Sequence, residues 1–143
     1  MNRTISAKAP EVPRGWFLVD AAAEPLGRMA ARVARVLMGK HRPLYTPHCD
    51  TGEFVVVVNA SNTKLTGKKA TEKIYQRYSG YPGGRKEIPY PRFASKDPTR
   101  PIRVAVERML PKGPLGKRML RKLKVYAGTD HPHAAQRPQP FPA

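Results

Sequence analysis

The heptapeptide "FVVVVNA", residues 54–60, decides the fold. It is apolar at successive positions rather than alternate ones and rich in β-branched side chains, as a strand covered on both faces must be; such strands belong inside a parallel sheet. Upstream, "WFLVD" (16–20) is a second short β-rich run. The intervening "EPLGRMAARVARVLMGKH" (24–41) sets Leu26, Met29, Ala30, Val33 and Leu37 at helical spacing, with Pro25 suited to the first turn and Gly39 to the stop. Strand, helix and strand together make a βαβ unit with a right-handed crossover. The same helix carries Arg28, Arg32 and Arg35 nearly opposite its apolar stripe, with no acidic side chain among them, so it packs by one face and presents a positive one.

Beyond this unit, "KIYQRYS" (73–79) reads as a third strand, and "PIRVAVERMLP" (101–111) places Ile102, Ala105, Val106, Met109 and Leu110 on one helical face before Pro111. Pro114 opens a further helix with Leu115, Met119 and Leu123 recurring every four residues, which leaves Lys117, Arg118, Arg121 and Lys122 on its outer side. "LKVYAG" (123–128) fits either a short half-buried strand or a continuation of that helix. "SGYPGGRKEIPYPRF" (79–93) reads as a long loop. The stretch from 129 to 143 is rich in proline and poor in core-forming residues, so it should run extended over the surface or along a partner. The expectation is one domain: an extended N-terminus over 1–14, an α/β core with basic loops over 15–128, and an extended tail over 129–143.

Charge narrows the function. Lysine and arginine number 27 against 10 acids, a formal net charge of +17 with a pI near 10.6. So large an imbalance repels itself in the folded monomer and calls for an anionic partner, with nucleic acid ahead of a membrane surface. No apolar run approaches the roughly 20 residues needed to span a bilayer, and the first fifteen residues lack the apolar centre of a signal peptide, so an intracellular location is expected. The single cysteine, Cys49, forbids an internal disulfide and has no assigned role.

Catalytic and cofactor patterns fail one after another. "NTKLTGKKAT" lacks the phosphate-loop glycine where Asn62 stands and the hydroxyl residue where Lys69 stands. Lys68 and Lys69 are instead candidate phosphate contacts in a turn. The turn after the first strand holds one glycine, Gly27, so the dinucleotide fingerprint is absent. His131 and His133 form one ligand pair, and a structural zinc site ordinarily needs two, so no metal is assigned even with His41, His48 and Cys49 elsewhere. The G-x-x-G matches at 80–83 and 113–116 are too short to identify a KH loop. What remains is a stiff α/β scaffold with basic faces and loops, suited to the backbone and shape of folded RNA. Two alternatives stay open: a free-standing RNA-binding regulator, and an enzyme taking a small ligand at the strand ends around Asp20 and Asn59.

"MLPKGPLGKRMLRKLKVYAG" (109–128) followed by "HPHAAQ" (131–136) closely resembles the bacterial large-subunit ribosomal protein family numbered thirteen. "LGRMA" (26–30), "GKHRPLYTPHCDTGEFVVVVNA" (39–60) and "TGKK" (66–69) occur in the same order and at similar separations, and the resemblance runs from Arg14 to Pro140. It implies a three-layer α/β/α fold with a mainly parallel four-stranded central sheet, a structural role in the large ribosomal subunit, direct binding to its ribosomal RNA early in assembly, neighbouring ribosomal proteins as partners, and a cytoplasmic setting. It also implies no enzymatic activity, cofactor, small-molecule substrate or membrane. The family's RNA-facing segments fall on Lys40, His41 and Arg42, on Lys68 and Lys69, on Arg85 and Lys86, and on 112–124 with Lys112, Lys117, Arg118, Arg121, Lys122 and Lys124. His131 and His133 of the tail join this set as partner contacts. Two departures stand out: Cys49 replaces a small aliphatic residue, and 86–96 matches poorly.

Overall fold

The computed structural model describes residues 6–8 and 11–141. Part of the expected N-terminal extension therefore lies outside the described residues, as do the last two residues of the tail. A four-stranded sheet has the order β5 (Leu123–Val125), β2 (Phe54–Val58), β1 (Trp16–Asp20), β6 (Gln139–Pro140), and each neighbouring pair runs parallel. β1 and β2 pair in register from Trp16↔Phe54 to Asp20↔Val58. Helix α1 (Leu26–Met38) links them, so the βαβ unit is present.

Val55, Val56 and Val57 are fully buried although successive strand residues face opposite ways, so both faces of β2 are covered, as a three-layer α/β/α arrangement requires. Val55 and Val57 meet Leu26, Met29, Val33 and Leu37 of α1, Ile102 and Val106 of α4 (Arg100–Met109), and Met119 of α5 (Pro114–Arg121) in one core cluster. The expected apolar face of α4 is buried at Ile102, Val106 and Leu110. Met109 departs from it and is exposed, because it is the last helical residue and the chain turns away there.

The third predicted strand forms, as β3 (Ile74–Tyr78), yet it stays outside the main sheet and pairs antiparallel with β4 (Arg85–Pro89). The burial pattern explains this: in β3 only Tyr75 is buried, so the strand has too little apolar surface for an enclosed sheet. β4 and the following α3 (Tyr90–Lys96) replace much of the long loop expected over 79–93. "RKEIP" has no apolar alternation to announce a strand; its order comes from the cross-strand ladder and from a turn in which Ser79 N–H donates to the Gly84 carbonyl at 3.2 Å.

"LKVYAG" resolves as a strand, because α5 ends at Arg121 and Leu123–Val125 joins the edge of β2. The tail runs over the surface and adds β6 to β1. Phe141 packs edge-on against Phe17 at 6.1 Å, and His133 lies over Trp16 at 5.0 Å.

Candidate nucleic-acid interface

The turn "PKGPLGK" (111–117) sets the direction of the most basic segment. Gly113 has φ 118°, a conformation other residues reach only under strain, and a Cβ on Gly116 would lie 1.9 Å from the Pro111 carbonyl oxygen. Pro114 then begins α5 in the first turn. The chain thereby reverses within a few residues, and Lys112, Lys117, Arg118 and Arg121 emerge exposed with no acid paired to them. Arg118 and Arg121 share a hollow of about 410 Å³ with Arg14 and His48, neither of which is among the RNA contacts expected from the sequence.

Lys122 corrects the expectation drawn from the sequence. It is 4 % exposed, not on the outer face, and its ammonium donates to Asp50 and, at 3.3 Å, to the Leu37 carbonyl at the end of α1. The physical reason is that the helix stops at Arg121; the turn into β5 carries the next side chain inward, beneath the loop that follows α1. Burial holds its pKa below the ordinary lysine value, while the hydrogen bond and charge of Asp50 oppose that shift.

A second anchor gathers two more candidates. The Glu53 carboxylate, with a side chain 2 % exposed, accepts from Arg42 on one oxygen and from His41 Nε2 at 2.9 Å on the other; Arg42 also donates to the Pro13 carbonyl. Arg42 supplies the countercharge, and burial together with Arg42 and Arg35 pushes the His41 pKa down, so the neutral imidazole donates its N–H to Glu53. Both side chains thus tie the loop after α1 to β2. Lys40, one residue earlier, is exposed, with its ammonium over the Tyr45 ring at 5.8 Å.

The other candidates divide similarly. Lys68 and Lys69 are exposed at the start of the short α2 (Lys69–Glu72). Lys86 is exposed and unpaired, whereas Arg85 bonds Glu87 at 2.6 Å. Lys124 is half-buried in β5. His133 Nε2 and the Tyr126 hydroxyl are hydrogen-bonded at 2.7 Å, and the ring is held below its usual pKa by burial, then by Lys124 and His131. His131 Nδ1 accepts from the His133 backbone N–H at 3.3 Å, so the histidine pair folds the tail against Trp16 and Tyr126. No cluster able to hold a metal ion exists among the described residues.

On α1 the row of arginines is only partly bare. Arg28 and Arg35 are exposed, while Arg32 pairs with Glu24 and lies over the Phe141 ring at 5.2 Å. The strand ends considered for a small ligand hold Asp20 Oδ1 bonded to Asn59 Nδ2 at 3.0 Å and to the Ala22 N–H at 2.9 Å. The adjoining hollow is only about 200 Å³. No described helix is long and apolar enough to cross a membrane.

These features define a class: a parallel-sheet α/β domain whose few acids pin selected cations inward while most of the rest stand unpaired at the surface. The match to a family model is specific, for the ribosomal protein L13 model covers residues 14–132, and the chain belongs to that family. It is 56 % identical over 139 residues to the large ribosomal subunit protein uL13 of Nitrosomonas europaea, covering 97 % of this chain and 96 % of that one. It is 55 % identical over 137 residues to uL13 of Dictyoglomus thermophilum and 54 % over 137 residues to uL13 of Pseudomonas paraeruginosa, with 96 % of each chain covered in both cases. The family is one of ribosomal proteins, and the chain is not an enzyme.

Proposed function

We propose that this protein is a constituent of the large ribosomal subunit in the bacterial cytoplasm, binds the large-subunit ribosomal RNA directly, and helps early assembly of the subunit. The observation that carries the RNA contact is the exposed set Lys112, Lys117, Arg118 and Arg121, none of which is in an ion pair, with Lys112 before the Gly113–Gly116 reversal and the other three on the short helix that follows it. Lys40, Lys68, Lys69 and Lys86 extend the contact surface. Such cations neutralise phosphates and release counterions, fixing register on a folded RNA without reading base sequence. Backbone at Gly113 and Gly116 approaches closely because no side chain intervenes.

Within this reading His41, Arg42 and Lys122 act as scaffold: they hold the loop after α1 and the start of β5 in place, so that Lys40 and Arg121 beside them are aimed. His131 and His133 do the same for the tail. Sedimentation of a cell lysate at physiological salt tests the assignment. The protein should co-migrate with large subunits and their precursors; a pool mainly at the top of the gradient would favour a free-standing regulator instead.

A further inference from the structure

Between the β3–β4 hairpin and helices α3 and α4 lies an open groove of about 680 Å³, within the roughly 300–1,000 Å³ of ligand sites. Arg77, Lys86, Arg92, Lys96, Arg100 and Arg108 line it; all are exposed and none makes an ion pair. Its acid, Glu87, is already engaged by Arg85 at 2.6 Å. The floor is aromatic: Tyr75 and Phe93 stack with centroids 4.1 Å apart. The Arg100 guanidinium lies over Phe93 at 5.0 Å and that of Arg108 over Tyr75 at 5.9 Å, so two guanidinium groups are backed by rings. The Tyr75 hydroxyl is buried and has no hydrogen-bond partner. A buried hydroxyl left without a partner is destabilising, and a ligand that accepts from it relieves that cost. Burial raises its pKa, so it keeps its proton and remains a donor.

We propose that this groove receives a single nucleotide extruded from RNA, with its phosphate among the cations and its base stacked on a ring-backed guanidinium. The inference rests on the RNA-binding reading above and deepens it. Phosphate chemistry accounts for the cations, and a flat π-ligand accounts for the presented guanidinium planes; unpaired RNA bases are recognised in that way. A duplex offers its phosphates on a convex backbone and keeps its bases paired, so it would leave the floor unused.

Arginine-selective modification with hydroxyphenylglyoxal, read by mass spectrometry, tests this on the full chain alone, with adenosine 5′-monophosphate, with bare large-subunit ribosomal RNA, and in the assembled subunit. Arg100 and Arg108 should be protected on bare RNA, together with Arg118 and Arg121. The double variant Arg100→Gln/Arg108→Gln should bind that RNA more weakly, with a log–log salt slope smaller by about one for each phosphate no longer neutralised. Protection of Arg118 and Arg121 alone would overturn the groove assignment and leave the ribosomal-RNA reading standing. Protection by the free nucleotide but not by RNA, or only in the assembled subunit, would also overturn it, in favour of a soluble nucleotide or an acidic protein segment respectively. If no complex forms with the RNA at all, both readings fall.

Discussion

Replacing Lys122 with methionine removes a buried ammonium while keeping a chain of similar length. In the native protein the Lys122 side chain is 6 % exposed and that of its partner Asp50 14 %, and the ammonium also satisfies the Leu37 carbonyl. Lys122→Met strands a nearly buried carboxylate and a helix-terminal carbonyl together, and breaking one side of such a pair costs about 3–5 kcal/mol. For a chain of this size, at about 3 °C per kcal/mol, the midpoint of thermal unfolding should fall by about 9–15 °C. Lys122→Met/Asp50→Asn removes both charges, and replacement of both members of a buried pair is often near neutral, so the double variant should recover most of that loss. Differential scanning calorimetry, with urea unfolding to check that the m-value is unchanged, reads the result. A single variant within about 0.5 kcal/mol of wild type, the range of ordinary surface changes, would refute the scaffold role and return Lys122 to the surface set.

Arg121→Glu, one residue away, should show the reverse pattern: RNA affinity falls, and thermal stability stays within about 0.5 kcal/mol of wild type, measured by filter binding and calorimetry side by side. Gly116→Ala places a methyl 1.9 Å from the Pro111 carbonyl oxygen and should destabilise by about 1–3 kcal/mol, visible as a lower urea midpoint. Stability should also decline as pH falls below about 6.5, because His41 and His133 both have folded pKa values under the unfolded one and the unfolded chain binds the extra protons in that window. His41→Gln should flatten part of that decline. A further loss belongs below about 3.8, where Asp97 protonates: its pKa is held down chiefly by the Thr99 hydroxyl, so its stabilisation is present above its unfolded pKa and lost as pH falls through the folded one.

The parts of the fold legible in the sequence are those where one residue's environment follows from its neighbours' spacing. Leu26, Met29, Ala30, Val33 and Leu37 are buried as their periodicity dictates, and the unbroken valines of β2 announce a doubly covered strand. Two strands are illegible for a shared reason. β4 is "RKEIP" and β6 is Gln139–Pro140, and each owes its order to hydrogen bonds with a partner distant in sequence or turned back upon it, a long-range determinant that composition does not carry. The candidate site divides the same way. Exposure of Lys117, Arg118 and Arg121 follows from helical spacing, while the inward placement of Lys122 depends on where α5 ends. The clue in the sequence is the scarcity of acids: in a chain with 10 of them against 27 cations, Asp50 and Glu53, in the loop leading into β2, mark the points where cations are pinned. The groove cations Arg77, Arg92, Lys96, Arg100 and Arg108 form no pattern in the sequence because they come from separate elements that only the hairpin's return brings together.

The most direct test of the central claim, that unpaired cations on a stiff scaffold match the phosphates of a folded RNA, is the affinity for large-subunit ribosomal RNA measured as a function of salt. If about 6–10 phosphates are engaged, affinity should fall by about three to five decades between about 50 and 200 mM salt, along a straight log–log line. An affinity that barely changes across that range would contradict it.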